Sequence, residues 1–222
     1  MKILILTLTL FLLTTIEAFA YVRPLRVDLK PATQVMIQKQ AHGALAAAGS
    51  NQVLSAHAGN TSSAAVTVTS FVAQPDVPRN LVITAGTSTP DVNDDCQIVV
   101  TGTNYRNATI TETFETYEDQ AEAMTGTKAF KTVTSVVFPA SCEDGLFAAT
   151  WSIGYGEKIG LSRCIDYAGN WVFSTAGGSY ESTRATVVAD ADEIEKNTAD
   201  FNGTMNSSNL FFSYFIENYR CN

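Results

Sequence analysis

The chain has 222 residues, 45% hydrophobic and only 16% charged, which is too apolar for a disordered polymer and sparsely charged for a folded surface. Its 14 Lys and Arg against 22 Asp and Glu give a net charge of −8, so the basic footprint that phosphate binding needs is missing and nucleic acid is not an expected partner. The length suits one β-sandwich or barrel, with or without an arm.

Residues 1–20 have the three parts of a secretory signal: Lys2, an apolar run from Ile3 to Ile16, and the small-x-small site Ala18-Phe19-Ala20. The run is shorter than the roughly 20 apolar residues of a spanning helix, so any membrane contact it implies is transient. Met36 is a competing start, because a different texture begins at Gln38. Pro24 and Pro31 interrupt the next stretch, and Ala41 to Ala58 is uncharged and rich in Ala and Gly, which fits a short helix or an extended arm. Residues 21–63 are therefore expected as an arm or linker, extended or partly helical, and residues 64–222 as the β-domain.

Val66 to Val72 alternates Val and Thr and predicts a strand, closed by the stiff connector Gln74-Pro75-Asp76-Val77-Pro78. Asn80 to Thr84 is the next strand, followed by a turn-rich loop from Gly86 to Asp95. Gln97–Thr103 and Ala108–Phe114 flank Asn104-Tyr105-Arg106-Asn107, a hairpin in which Asn104 and Asn107 can take left-handed turn positions. Thr127 to Phe138 is expected as one long strand, bent or bulged where its apolar parity switches between Phe130 and Val133. Ala148–Tyr155, Trp171–Ala176, Arg184–Ala189 and Asn209–Ile216 complete about nine or ten short strands, so the predicted class is all-β, a sandwich or Greek-key barrel-like domain.

Candidates for chemistry are few. His42 and His57 lie in the Ala/Gly-rich stretch and read as exposed or satisfied polar residues rather than as part of a triad. Asp91, Asp94 and Asp95 could offer oxygens to calcium, but the glycine and distal glutamate of an EF-hand loop are missing, which favours a solvated turn. Glu112, Glu115, Glu118, Asp119 and Glu122 form an acidic run without the facing partner that glycosidic chemistry requires. Gly154, Gly156, Gly177 and Gly178 lack the context of a phosphate loop and read as turn glycines. Cys96, Cys142, Cys164 and Cys221 are too widely spaced for a zinc knuckle or a redox pair. In an oxidising compartment they can form two disulfides by any of three connectivities; in cytoplasm they would be small, mostly buried hydrophobes. Sequons stand at Asn60, Asn107, Asn202 and Asn206. No catalytic residue, metal or cofactor is expected.

The terminal Phe211, Phe212, Tyr214 and Phe215 make a strand apolar on both parities, hence either central in a sheet or covered by another subunit. Arg79 offers a rigid donor fork to a carboxylate and joins these aromatics as a candidate interface residue.

From Gln74 to Asp200 the chain resembles a family of structural proteins of tailed bacteriophages and prophages. The blocks that carry the resemblance are Gln74–Asn80 (QPDVPRN), Val100–Asn104 with Ile110–Thr113, Thr125–Ser135, Ser152–Leu161 and Glu195–Asp200. A glycine is usual in that family where Asn107 stands here. The resemblance implies a virion component, a head decoration or cement protein or else a tail or neck protein. Its partners would be the major capsid protein or tail proteins and further copies of itself. The signal-like start and the aromatic terminal strand ending in Cys221 depart from that pattern, and the signal-like start together with possible disulfides keeps a second expectation open: an exported β-sandwich, secreted or at the cell surface, that binds a ligand as an adhesin does.

Overall fold

In the computed structural model, the structure describes residues 36–58, 64–85, 96–115, 123–140 and 150–217. β-Branched residues and Thr dominate the segments that alternate, and these form antiparallel ladders rather than helices. The strands are β1 (Ile37–Ala44), β2 (Leu54–Ala58), β3 (Val66–Val68), β4 (Arg79–Ala85), β5 (Gln97–Thr103), β6 (Thr109–Glu115) and β7 (Ala123–Phe130). They continue with β8 (Thr132–Phe138), β9 (Thr150–Gly160), β10 (Trp171–Ala176), β11 (Ser179–Tyr180), β12 (Thr186–Val188), β13 (Thr198–Asp200) and β14 (Leu210–Ile216). The protein is all-β, as the alternation predicts, with fourteen described strands instead of nine or ten.

The strands form three sheets: β1-β14-β10-β11, β12-β13-β9-β4-β7 with β2 also on β9, and β3-β8-β5-β6. The expected long strand from Thr127 is two strands. β7 pairs with β4 and β8 with β5 and β3, so the parity switch at Phe130 to Val133 marks a chain that turns at Lys131 from one sheet into another. Of the stretch expected as an arm, residues 36–58 are built into the domain, whereas the rest of it, 21–35 and 59–63, lies outside the described residues, as does the signal-like segment 1–20. β1 pairs along β14 from Ile37↔Ile216 to Ala44↔Leu210, β2 pairs with β9, and Leu45 and Val53 are fully buried. Ala/Gly texture does not reveal this, because the partner strands lie far away in sequence.

Two cores result. The first lies between the second and third sheets and joins Leu81, Ile83, Trp151 and Ile153 to Ile98, Val100, Phe114, Val136 and Phe138. The second lies beneath the first sheet and gathers Leu45, Ile159, Leu161, Trp171, Phe201, Phe211 and Phe215. Strand β9 serves both: its first half supplies Trp151 and Ile153 to one, its last residues supply Ile159 to the other.

Candidate functional site

The Gln74–Asn80 connector leads into β4, and its side chains bind backbone groups of three neighbouring elements. The Gln74 amide pairs with both polar groups of Val133, accepting from its N–H at 2.7 Å and donating to its carbonyl at 3.1 Å. This serves β8 where its register with β5 shifts between Thr101 and Gly102. Asn80 is 1% exposed and sits where β4 meets irregular pairing on both sides. Its amide donates to the Gly126 carbonyl at 3.2 Å and accepts from Lys158 N–H at 3.0 Å, replacing ladder bonds that the bulges remove.

Arg79 is fully buried. Its Nη2 donates to Asp76 Oδ2 at 3.0 Å and to the Ala46 carbonyl at 2.8 Å, and Nη1 reaches the Gly156 carbonyl at 3.4 Å. Its Nε lies 2.8 Å from Asp76 Oδ1, close enough for an ion pair though poorly aligned as a hydrogen bond. The guanidinium also lies 4.7 Å from the centre of the Tyr155 ring. Burial lowers its pKa from the ordinary arginine value, and Asp76 opposes that shift. The expected carboxylate partner is thus Asp76 of the same connector. Arg79 has no surface to offer a second subunit, which corrects its assignment as an interface residue.

The other blocks close the same network. Thr103 and Thr132 hydroxyls are 2.7 Å apart, and Asn104 donates to Glu195 Oε2 at 3.1 Å. Glu112 accepts from Thr127 N–H at 2.6 Å and from the Thr127 hydroxyl at 2.9 Å, tying β6 to β7 across a sheet boundary. That carboxylate is therefore occupied by backbone and hydroxyl donors; Glu115 takes Gln97, and Glu118, Asp119 and Glu122 lie outside the described residues, as do Asp91, Asp94 and Asp95. Asn197, inside the Glu195–Asp200 block but given no role by the sequence, is fully buried and uses its whole amide: it donates to the carbonyls of Asp190 and Glu193 and accepts from Ile165 and Asp190 N–H groups.

The hairpin forms where expected. Asn107 takes the left-handed conformation with φ 64°, whereas Asn104 contributes its side chain, whose Oδ1 accepts from Arg106 and Ala108 N–H groups. Gly177 and Gly178 form a two-residue turn with φ 58° and 83° between β10 and β11. Gly154 and Gly156 are not turn residues: both lie inside β9, and a Cβ on Gly156 would meet Asn80 Oδ1 at 2.5 Å.

A cleft of about 420 Å³ lies beside the connector, lined by Gln40, His42, Gln74, Asp76, Tyr105 and Lys131 among others. Its inner polar groups are already engaged. His42 Nε2 is 2.9 Å from Ser213 Oγ and Nδ1 is 3.4 Å from Gln40 Nε2, while Gln40 also donates to Gly160 and accepts from Ser162. Burial lowers the His42 pKa to about 4, so the ring is neutral near pH 7. Ser213 is fully buried, so the hydroxyl of this Ser–His pair is closed to solvent. His57 stacks on Phe138 at 5.3 Å. Among the described residues no group of three His, Cys, Asp or Glu side chains is placed to hold a metal ion, and no helix is long and apolar enough to cross a membrane.

The terminal strand β14 is central, flanked by β1 and β10. Phe211 and Phe215 are fully buried in the second core, whereas Phe212 and Tyr214 are half-buried on the outer face of the sheet. There Lys39 lies 4.5 Å over the Phe212 ring, Phe173 stacks on Tyr214 at 4.1 Å, and Tyr180, 66% exposed, extends the row. Both sequence alternatives for this strand are thus divided by parity: one half is core, the other surface. Cys96 and Cys164 are both in disulfide bonds; Cys142 and Cys221 lie outside the described residues.

No family model, no curated protein and no solved structure matches this chain.

Proposed function

We propose that this is a non-enzymatic structural component of a tailed-phage virion, most specifically a capsid decoration or cement protein. The observation that carries this reading is the network just described: the five blocks that resemble phage structural proteins bind one another through side-chain bonds at Gln74, Arg79, Asn80, Thr103, Asn104 and Glu112. Among the described residues, Glu112 is spent on N–H and hydroxyl donors and His42 on Ser213 beneath β14. Sheet surface and sheet edge are open to partners. Many weak identical contacts of that kind become strong on a lattice through avidity.

The direct test is co-sedimentation of the purified protein with capsids assembled from the major capsid protein encoded beside it. Saturable binding at a fixed number of copies per capsid is expected. No binding at any ratio overturns the reading.

The disulfides of Cys96 and Cys164 favour a second reading, an exported β-sandwich with a ligand-binding or adhesin role. Intact mass under reducing and non-reducing conditions separates the two. A native chain that begins at Tyr21 and carries two disulfides supports export; a start at Met1 or Met36 with four free thiols excludes it.

A further inference from the structure

Sheet edges are where a β-protein accepts another chain, and most edges here are guarded. β1 is bulged between Ala41 and Gly43 and carries Lys39; β2 is irregular between Leu54 and His57. β6 is tied to β7 by Glu112, β11 is two residues long beside Glu181, and β12 is bracketed by Arg184 and Asp190. β3 has none of these devices. It pairs with β8 on one side only, and among the described residues no strand lies on its other side. No Asp, Glu, Lys or Arg occurs between Lys39 and Asp76, and the segment from Ala65 to Ser70 is exposed apart from Val68.

We propose that the free edge of β3 pairs antiparallel with β3 of a second copy, on a two-fold axis through Thr67. Self-complementarity of the edge selects this occupant. Centred on Thr67, the sequence Ala65-Val66-Thr67-Val68-Thr69 sets Thr67 opposite Thr67 and Val66 opposite Val68 of the partner copy. Val68 already packs against the first core and Val66 is 38% exposed, so the pairing extends an apolar layer on one face and a Thr row on the other. An uncharged, β-branched edge of this kind otherwise invites indiscriminate pairing, and a two-fold contact that closes on itself removes the hazard. The pairing specifies how copies meet in the reading above and rests on that reading only for the presence of a second copy.

The experiment is sedimentation of the full chain with its disulfides intact, alongside Val66→Asp, which places a carboxylate opposite Val68 of the partner while remaining exposed in the monomer. The wild type is expected to dimerise and Val66→Asp to weaken the dimer at least tenfold. Thr67→Cys is expected to give a covalent dimer on mild oxidation, and Thr69→Cys, which faces Ala65, is not. A monomeric wild type, an unweakened Val66→Asp dimer, or equal cross-linking at both positions overturns the pairing. Capsid binding by a monomer overturns the pairing alone, and dimerisation without capsid binding overturns the virion reading alone.

Discussion

The two cores of this domain are built from different chemistry. The first is mostly aliphatic, with Ile and Val from facing sheets interlocking around Trp151, Phe130 and Phe138. The second is aromatic, with Trp171 stacked on Phe215 and edge-on to Phe201, and it encloses polar groups: Gln40, His42 and the paired Ser174 and Ser213. In the first, burial of apolar area carries the stability. In the second, part of that gain is offset by desolvating a neutral imidazole and by Ser174 Oγ and Trp171 Nε1, which have no partner among the described residues. The second core is therefore expected to be the more sensitive to solution conditions, and β9 with Arg79 forms the junction through which the two cores are expected to unfold together.

Arg79 is the strongest place to break that junction, since it binds Asp76, the Ala46 carbonyl and the Gly156 carbonyl at once. Arg79→Ala should cost about 3–5 kcal/mol, because the Asp76 charge loses its partner and two carbonyls lose a donor. The chain has two tryptophans, one in each core. Urea unfolding of Trp151→Phe and Trp171→Phe variants then reports each core separately. Coincident transitions are expected with Arg79 intact, and separated ones in its absence; separated transitions in both backgrounds would show that the cores were never coupled.

Acid distinguishes the cores next. The folded His42 pKa of about 4 lies below the unfolded value near 6.5, so on acidification the unfolded chain takes up this proton first. Stability from this group is full above about pH 6.5 and falls by about 3 kcal/mol as pH drops toward 4. The loss should show in the Trp171 signal, and His42→Gln should flatten it.

Asn80→Ala removes the amide shared between β7 and β9 and leaves Gly126 O and Lys158 N–H without it, for an expected loss of about 2 kcal/mol in thermal or urea unfolding. Asn107→Ala should cost about 1 kcal/mol, since φ 64° suits Asn better than Ala and the bond to Lys131 is lost. The smallest expected effect has the opposite sign. Ser174→Ala should be neutral or stabilising by up to about 1 kcal/mol, as it removes a buried hydroxyl without a described partner.

Alternation and turn chemistry in the sequence determine the all-β class, the hairpin at Asn104 to Asn107 and the Gly177-Gly178 turn, because each depends on local backbone preference. The break at Lys131 is also foreshadowed by a parity change, since a shift in side-chain period must turn a strand over. Tertiary structure alone places β1 and β2 in the sheets, since weakly patterned Ala/Gly segments become strands only when distant β14 and β9 supply their hydrogen bonds. It alone decides the roles of Arg79, Asn80 and Asn197. A buried polar side chain looks the same in sequence as an exposed one, and only the bulges and turns around it show which backbone groups it satisfies.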